Sequence, residues 1–225
     1  MKKEPDMITA EFHCHTVYSM DSSNRVLPLI EAARSRGIDR LAVTDHNTIR
    51  GALIAKENAP DLIIIGEEIL TSQGELLAYY LTEEIPPGLS PMQTIEEIRK
   101  QGGFIAVPHP MDKLRHGWQM EDLIGILPHV DALESFNARC LYPRLNREAA
   151  ALAVEQGIPQ IAGSDAHSLV ELGLATMRLP VFANAEEMRA AVCEGEFEGR
   201  LLSPLDHFKA SLAIASGRLN PFKKN

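Results

Sequence analysis

Five of the chain's eight histidines sit with aspartates and glutamates in six short polar clusters, and each cluster follows a Val-, Ile-, Leu- or Ala-rich run. The clusters are His13-Cys14-His15, Asp45-His46, Glu67-Glu68, Pro108-His109-Pro110, Glu134-Ser135-Phe136-Asn137 and Gly163-Ser164-Asp165-Ala166-His167. Imidazole nitrogen mixed with carboxylate oxygen is a donor set for zinc, iron or manganese, whereas calcium and magnesium favour oxygen alone. Within His13/His15 and Asp165/His167 the spacing is two. In extended backbone that puts both side chains of a pair on one face and turns Cys14 and Ala166 to the other. Residues more than 150 positions apart would then converge on one metal site built from strand ends.

The elements that must position these residues repeat a unit of helix, glycine, strand and ligand. Residues 27–36 carry apolar side chains at helical spacing and stop at Gly37, and Leu41-Ala42-Val43-Thr44 then reads as a buried strand leading to Asp45-His46. Ser90 as N-cap and Pro91 at the first helical position open an amphipathic stretch to Lys100, followed by Gly102-Gly103, Phe104-Ile105-Ala106-Val107 and His109. The unit recurs from 145 to 156, through Gly157 and the strand 158–162, to Asp165. Seven strands are expected, near 7–12, 40–44, 61–66, 76–81, 104–107, 131–135 and 160–163, with polar clusters after all but the fourth. Strands alternating with helices imply parallel pairing. A closed barrel brings all its strand ends to one rim, while an open doubly wound sheet gathers ligands only near a switch point, so six dispersed clusters favour the barrel. No eighth strand is evident, and the expectation is a distorted (β/α) barrel with seven strands. Asn184 to Glu187 has the pattern of a cap and its partner, opening a helix through Cys193. The whole chain, 1–225, reads as one domain whose last part, from about 180, is a C-terminal helical extension.

Composition narrows the function classes. With 225 residues and 45% hydrophobic content the chain can bury one large core. It has no run of roughly 18 apolar residues, as a membrane helix requires, and its start, Met1-Lys2-Lys3-Glu4-Pro5-Asp6, lacks an apolar signal region. Cys14, Cys140 and Cys193 have no zinc-ribbon spacing and cannot all pair, which points to a reducing, cytoplasmic setting. A formal charge of −9 argues against a general nucleic-acid coat but allows a local basic patch beside an anionic substrate. Candidates for that patch are Arg139, Arg144 and Arg147, and the tail residues Arg218, Lys223 and Lys224. Arg139 stands out, two residues after Asn137 at an expected strand end; the tail charges read as solvated surface.

Taken together, the HxH with Thr16, the Thr44-Asp45-His46 triplet, Gly66-Glu67-Glu68, His109-Pro110, the segment 134–137 and the closing Gly-Ser-Asp-Ala-His resemble the PHP (polymerase and histidinol phosphatase) superfamily of metal-dependent phosphoesterases. The resemblance spans residues 11 to about 168. It implies a seven-stranded barrel with two or three divalent ions (zinc, manganese or iron) at the strand ends. By position it assigns His13, His15, Glu68 and Asp165 to one ion, with Glu68 bridging to a second also held by His109, and Asp21, His46 and His167 to a third. The family often has a further histidine near the fourth strand. Here only Glu75 stands there, so either Glu75 substitutes or that second site is weak or empty. The spacing from His15 to Asp21 is one residue longer than in many relatives.

The other residues weigh differently. Asp45 is expected to orient His46 or to cap the next helix. Glu67 is expected to be a neighbour of Glu68, His129 and His207 surface or packing residues, and Trp118 core or lid packing. The expected reaction is hydrolysis of a phosphate ester by a metal-bound hydroxide, with Glu68, Asp165 and His167 as catalytic residues. Arg139, Asn137, Arg115 and His116 are expected to contact substrate. No Gly-x-Ser-x-Gly elbow or GxxxxGK[ST] loop offers another route, and Ser164 lies inside a metal motif. The expected partner is a phosphate-bearing small molecule, a nucleotide or a short oligonucleotide. A nuclease, a histidinol phosphatase and a non-catalytic metal-binding or regulatory module are the alternatives.

Overall fold

A computed structural model describes residues 6–203, 205 and 206. Arg218, Lys223, Lys224 and His207 lie outside the described residues. The elements in order are β1 (Met7–Glu11), α1 (Val26–Ser35), β2 (Arg40–Val43), α2 (Arg50–Asn58), β3 (Ile63–Leu70), β4 (Glu75–Tyr79), α3 (Pro91–Lys100), β5 (Phe104–Val107), α4 (Met120–Ile126), β6 (Ala132–Asn137), α5 (Pro143–Gln156), β7 (Gln160–Gly163), β8 (Ala175–Pro180), α6 (Ala185–Cys193) and β9 (Glu196–Gly199). The three anticipated helix–strand units are α1–β2, α3–β5 and α5–β7. Ser90 and Gln93 cap α3 reciprocally, and Gly157 ends α5 at φ 66°, a left-handed turn that a residue with a Cβ adopts only with strain.

Among the described residues the sheet has nine strands, not seven, in the order β7-β6-β5-β4-β3-β2-β1-β8-β9. β1, β2 and β3 pair in parallel, as do β5, β6 and β7. β4 runs antiparallel to both of its neighbours. It follows β3 by a tight turn, too short for a crossover. Its amino end therefore reaches the rim that the other strands reach with their carboxyl ends. No polar cluster follows β4 because its rim residue, Glu75, is its first. The two unanticipated strands form an antiparallel appendage: β8 pairs with β1, and β9 with β8. β9 is four residues long with a single apolar side chain, Phe197, which packs against Phe136, so no alternating apolar pattern announces it. The ring nearly closes where the segments after β1 and β7 meet, at an isolated parallel bridge between Cys14 and Ala166. From about 180 onward, where a helical extension is expected, the described residues contain α6 and also β9. The α6 cap is as anticipated: Asn184 Oδ1 accepts from Glu187 N at 2.9 Å, and Glu187 returns a carboxylate to Ala183 N at 2.8 Å.

Strand parity sorts the core. Ala42, Leu77, Tyr79, Phe104 and Ala106 belong to the interior cluster. Their neighbours Leu41 and Val43 face outward toward α1 and α2. Leu76, Ala78, Ile105 and Val107 face outward toward α3, α4 and α5. Met188 and Val192 of α6 join the interior cluster. Arg189 on the same helix donates to Gly103 O at 2.7 Å and to Asp131 Oδ1 at 3.0 Å, just before β5 and β6. Thus α6 sits at the end opposite the rim. Each such fully buried Leu, Ile or Phe contributes about 1.5–3 kcal/mol. The apolar interior ends at the rim, where buried residues turn polar. Among the described residues no helix is long and apolar enough to cross a membrane.

Candidate metal centre

The bridge between Cys14 and Ala166 sets the two spaced pairs side by side. His15 N donates to Ala166 O at 3.0 Å and Ala166 N to His13 O at 3.3 Å. Asn24 Nδ2 donates to both His15 O (2.9 Å) and Ala166 O (3.0 Å), tying the strands together. Cys14 and Ala166 pack outward, as the spacing required. His13, His15, Asp165 and His167 consequently share the inner face. Glu68 joins them from β3, where parity sends Glu67 outward to accept from Ile85 N at 3.0 Å.

Glu68 is the hub. Its Oε2 lies 3.3 Å from Nε2 of both His13 and His15 and 3.0 Å from His46 Nδ1. Its Oε1 is 3.0 Å from His109 Nε2. Asp165 Oδ1 lies 3.3 Å from His15 Nε2 and 3.7 Å from His13 Nε2. Asp21 Oδ2 reaches His167 Nε2 at 3.2 Å and His46 Nε2 at 3.6 Å. Every anticipated ligand is therefore in one place. Buried Nε2 of His13, Nε2 of His15 and Oε2 of Glu68 have no hydrogen-bond partner, although they lie within 4.8 Å of one another. His15/His46/His167, His13/His109/Asp165 and His46/Glu68/Glu75 form similar groups. Buried donors that face one another without hydrogen bonds fit divalent cations. Glu75 lies at this rim too, with Oε2 3.8 Å from His109 Nε2.

The groups perturb one another strongly. Burial would lower His13, but Asp165, Glu68 and Glu134 hold it well above the usual imidazole value. His46 is likewise raised to about 11, burial being outweighed by Glu68 and Asp21. Burial, with His167 and His46 close by, pushes His15 well below. For Glu68, burial is outweighed by His13 and His46, and for Asp165 by His13 and Arg115, so both stay well below the carboxylate range. Glu75 is raised to about 9 by burial and by Glu68. Protons on His13 and His46 thus act as counter-cations, which a divalent ion would replace. His109 (φ 26°) and Asp165 (φ 54°) also have left-handed backbone, which is sterically costly away from glycine and concentrates where a site demands it.

Several positioning groups were not anticipated. Glu134 Oε1 is 3.0 Å from His13 Nδ1, while its Oε2 accepts from His109 N (2.8 Å) and Asn137 Nδ2 (2.9 Å). Asp45 does not hold the His46 ring, nor does it cap α2, whose N-cap Ile49 lacks a side-chain bond. Its oxygens accept from Thr16 N (2.7 Å), Thr16 Oγ1 (2.6 Å) and Ser19 Oγ (2.6 Å), and Ser19 Oγ in turn lies 3.1 Å from His15 Nδ1. Asp45 orients His15 through Ser19. Ser164 donates its hydroxyl to the buried Glu11, which also accepts from Ser164 N at 2.7 Å. The signal in sequence was a carboxylate two residues before the HxH. Gly163 is required nearby, since a Cβ there would overlap His13 and Glu134.

Above the cluster opens a pocket of about 520 Å³, lined by Tyr18, Met20, Asp21, His46, Asn47, Glu68, Leu70, Glu75, His109, Leu114, Arg115, His116, Arg139, Asp165 and His167. Arg115 pairs with Asp165 and with Asp112 (3.0 Å). Arg139 pairs with Glu171 (3.1 Å) and lies 2.6 Å from His167 Nδ1. His116 is exposed at the mouth. Asn137 is fully buried; its amide serves Glu134, Asp165 and Arg115. Arg144 and Arg147 are exposed outside this pocket, beside Tyr142. His129 is exposed, and Trp118 is buried against Gly74 with Nε1 on Glu75 O at 3.2 Å, a packing role.

The chain belongs to the PHP domain family, whose model matches residues 11–127. A PHP-associated family matches residues 143–197. Two uncharacterized proteins of Methanocaldococcus jannaschii are similar. One is 38% identical over 142 residues, 57% of this chain and 81% of its own length. The other is 31% identical over 172 residues, 75% of this chain and 69% of its own length. Among solved structures, a two-domain protein of Bacteroides vulgatus containing a predicted PHP-like metal-dependent phosphoesterase superposes with a TM-score of 0.73 at 18% identity, over 92% of this chain and 70% of that one. PsfC of Pseudomonas syringae gives 0.73 at 16%, over 94% and 99%. A lesion-specific endonuclease of Pyrococcus furiosus gives 0.60 at 17%, over 83% and 56%. At these identities the structural likeness speaks for the fold.

Proposed function

We propose that the protein is a metal-dependent phosphoric ester hydrolase acting on a phosphate-bearing small molecule, a nucleotide or a short oligonucleotide. The observation that carries this reading is the convergence of unpartnered, buried His13 Nε2, His15 Nε2 and Glu68 Oε2 beneath a pocket whose cations are Arg115 and Arg139. His13, His15, Glu68 and Asp165 would hold one ion, Glu68 and His109 a second, and Asp21, His46 and His167 a third. Bound divalent ions activate water and neutralise phosphoryl oxygens. The remaining work falls to side chains. Arg139 and Arg115 receive the phosphoryl group through forked hydrogen bonds. Asn137 acts from behind, holding Arg115 and Asp165 in place, and His116 meets the substrate at the mouth.

His167 has two mutually exclusive arrangements. Its Nδ1 lies 2.8 Å from Asp165 O, which can only accept, and 2.6 Å from Arg139, which can only donate. When Nε2 serves as a ligand, Nδ1 carries the proton and turns to the carbonyl, which releases Arg139 to substrate. In the other arrangement, with Nδ1 accepting from Arg139, Nε2 carries the proton and is the atom that would supply it to the leaving group. On the outer side, Tyr18, Met20, Leu70 and Leu114 offer apolar surface to an organic leaving group.

The test is turnover by metal-reconstituted protein on p-nitrophenyl phosphate, nucleotides, sugar phosphates and a short single-stranded oligonucleotide. Phosphate release that disappears in Asp165→Ala is expected. Wild-type protein that binds metal yet hydrolyses none of these would replace this reading with a non-catalytic metal-binding module.

A further inference from the structure

Glu75 enters the rim in a way that no other acid does. It is the first residue of the one strand in the β1–β7 series that runs backwards, so its carboxylate arrives from the amino end of β4. It is buried, at 6% exposure. Its backbone carbonyl is taken by Trp118 Nε1, but among the described residues its carboxylate has only His109 within ion-pair reach, at 3.8 Å. One oxygen also groups with His46 and with Glu68 within 4.8 Å. Two buried carboxylates facing one another repel unless one keeps a proton or a cation stands between them, and a cation that binds there displaces that proton. Glu68, 1% exposed, reaches this end through Oε1, 3.0 Å from His109 Nε2, while its Oε2, without a hydrogen-bond partner, faces His13, His15 and His46.

The two ends of the centre therefore differ in donor chemistry. One end offers the three imidazoles of His15, His46 and His167. The other offers the two carboxylates of Glu68 and Glu75 with the imidazole of His109, and shares His46 with the first end. Imidazole-rich sets suit zinc, whereas carboxylate-rich sets suit manganese. We propose that Glu75 is a metal ligand, and that it makes the Glu68–Glu75–His109 end an oxygen-rich site taking a harder ion, such as Mn²⁺, than the histidine-rich end takes. This rests on the metal-centre reading above, and it concerns ion binding alone, not turnover.

Metal-stripped wild type, Glu75→Gln and Glu75→His are titrated with Mn²⁺, counted by electron paramagnetic resonance, and separately with Zn²⁺, counted by elemental analysis. The glutamine keeps the shape and removes the charge, and the histidine restores a ligand of the softer kind. We expect Glu75→Gln to bind about one Mn²⁺ fewer than wild type, and Glu75→His to regain the lost site for Zn²⁺ but not for Mn²⁺. A glutamine variant with wild-type Mn²⁺ count and affinity, or a histidine variant that regains both metals equally, would overturn the inference and leave the metal centre standing. Wild type that binds neither ion would overturn both.

Discussion

His13-x-His15 and Asp165-x-His167 have the same spacing and lie side by side across one bridge, yet they are backed by opposite charges. Behind His13 stands the carboxylate of Glu134, and behind His15 stands Ser19, held by Asp45. Behind Asp165 stands Arg115, and beside His167 stands Arg139. Equal spacing places donors; the groups behind them decide what the donors do. An anion behind an imidazole fixes the tautomer that leaves Nε2 free and raises its strength as a ligand. A guanidinium beside the pair keeps a positive charge at the pocket, where an anionic substrate would arrive. On the proposed reading, the first pair holds cations and the second shares them with a phosphate.

The strongest way to break this comparison is to remove the hub of the centre or a member of the first pair. Glu68→Ala or His15→Ala should abolish bound metal by elemental analysis and reduce turnover by at least the roughly 10²–10³-fold that loss of one electrostatic stabiliser costs. His129→Ala, on the exposed surface, should leave both unchanged, its stability shifting by no more than about 0.5 kcal/mol. Equal losses in all three would dissolve the rim as a centre. Next comes the anion behind the first pair. Glu134→Gln preserves shape but removes the negative charge behind His13, and metal affinity should fall roughly 10- to 100-fold by competition with a chelator. The matching change in the second pair, Arg139→Ala, should leave metal content intact and raise KM about 10-fold or more, the worth of a charged hydrogen bond. An Arg139→Ala protein that loses metal, with KM unchanged, would show that the two pairs are not divided in this way.

Much of this arrangement was legible in the chain. Spacing of two places His13 with His15 and Asp165 with His167 whenever the backbone is extended, and apolar runs before each cluster announce the strand ends. The direction of β4 was not legible, because a short apolar strand reads alike forwards and backwards; only the tight turn from β3 fixes it, and Glu75 gains its position from that reversal. β9 lacked any apolar alternation. Glu134 was visible as part of a cluster but not as the partner of a histidine 121 positions away, since pairing across the barrel depends on register. Asp45 was visible as well, but adjacency in sequence pointed it at His46 when the loop 16–19 brings Ser19 to it instead.

That last displacement gives the finest test of the comparison. Ser19 Oγ donates to Asp45 and receives the His15 Nδ1 proton, so a neutral hydroxyl stands where His13 has a carboxylate directly behind it. A neutral hydrogen bond is worth about 1 kcal/mol, which is roughly a five-fold change in an equilibrium constant. Ser19→Ala should therefore weaken metal binding by about that factor, less than Glu134→Gln does, while Ser19→Thr should restore it because the hydroxyl returns. If support behind the first pair acts through charge, the order Glu134→Gln over Ser19→Ala must hold in the same chelator assay. If Ser19→Ala were the more damaging, the hydroxyl would be anchoring the whole 16–19 loop, and with it Asp21, so that backing of His15 would be the smaller part of its role.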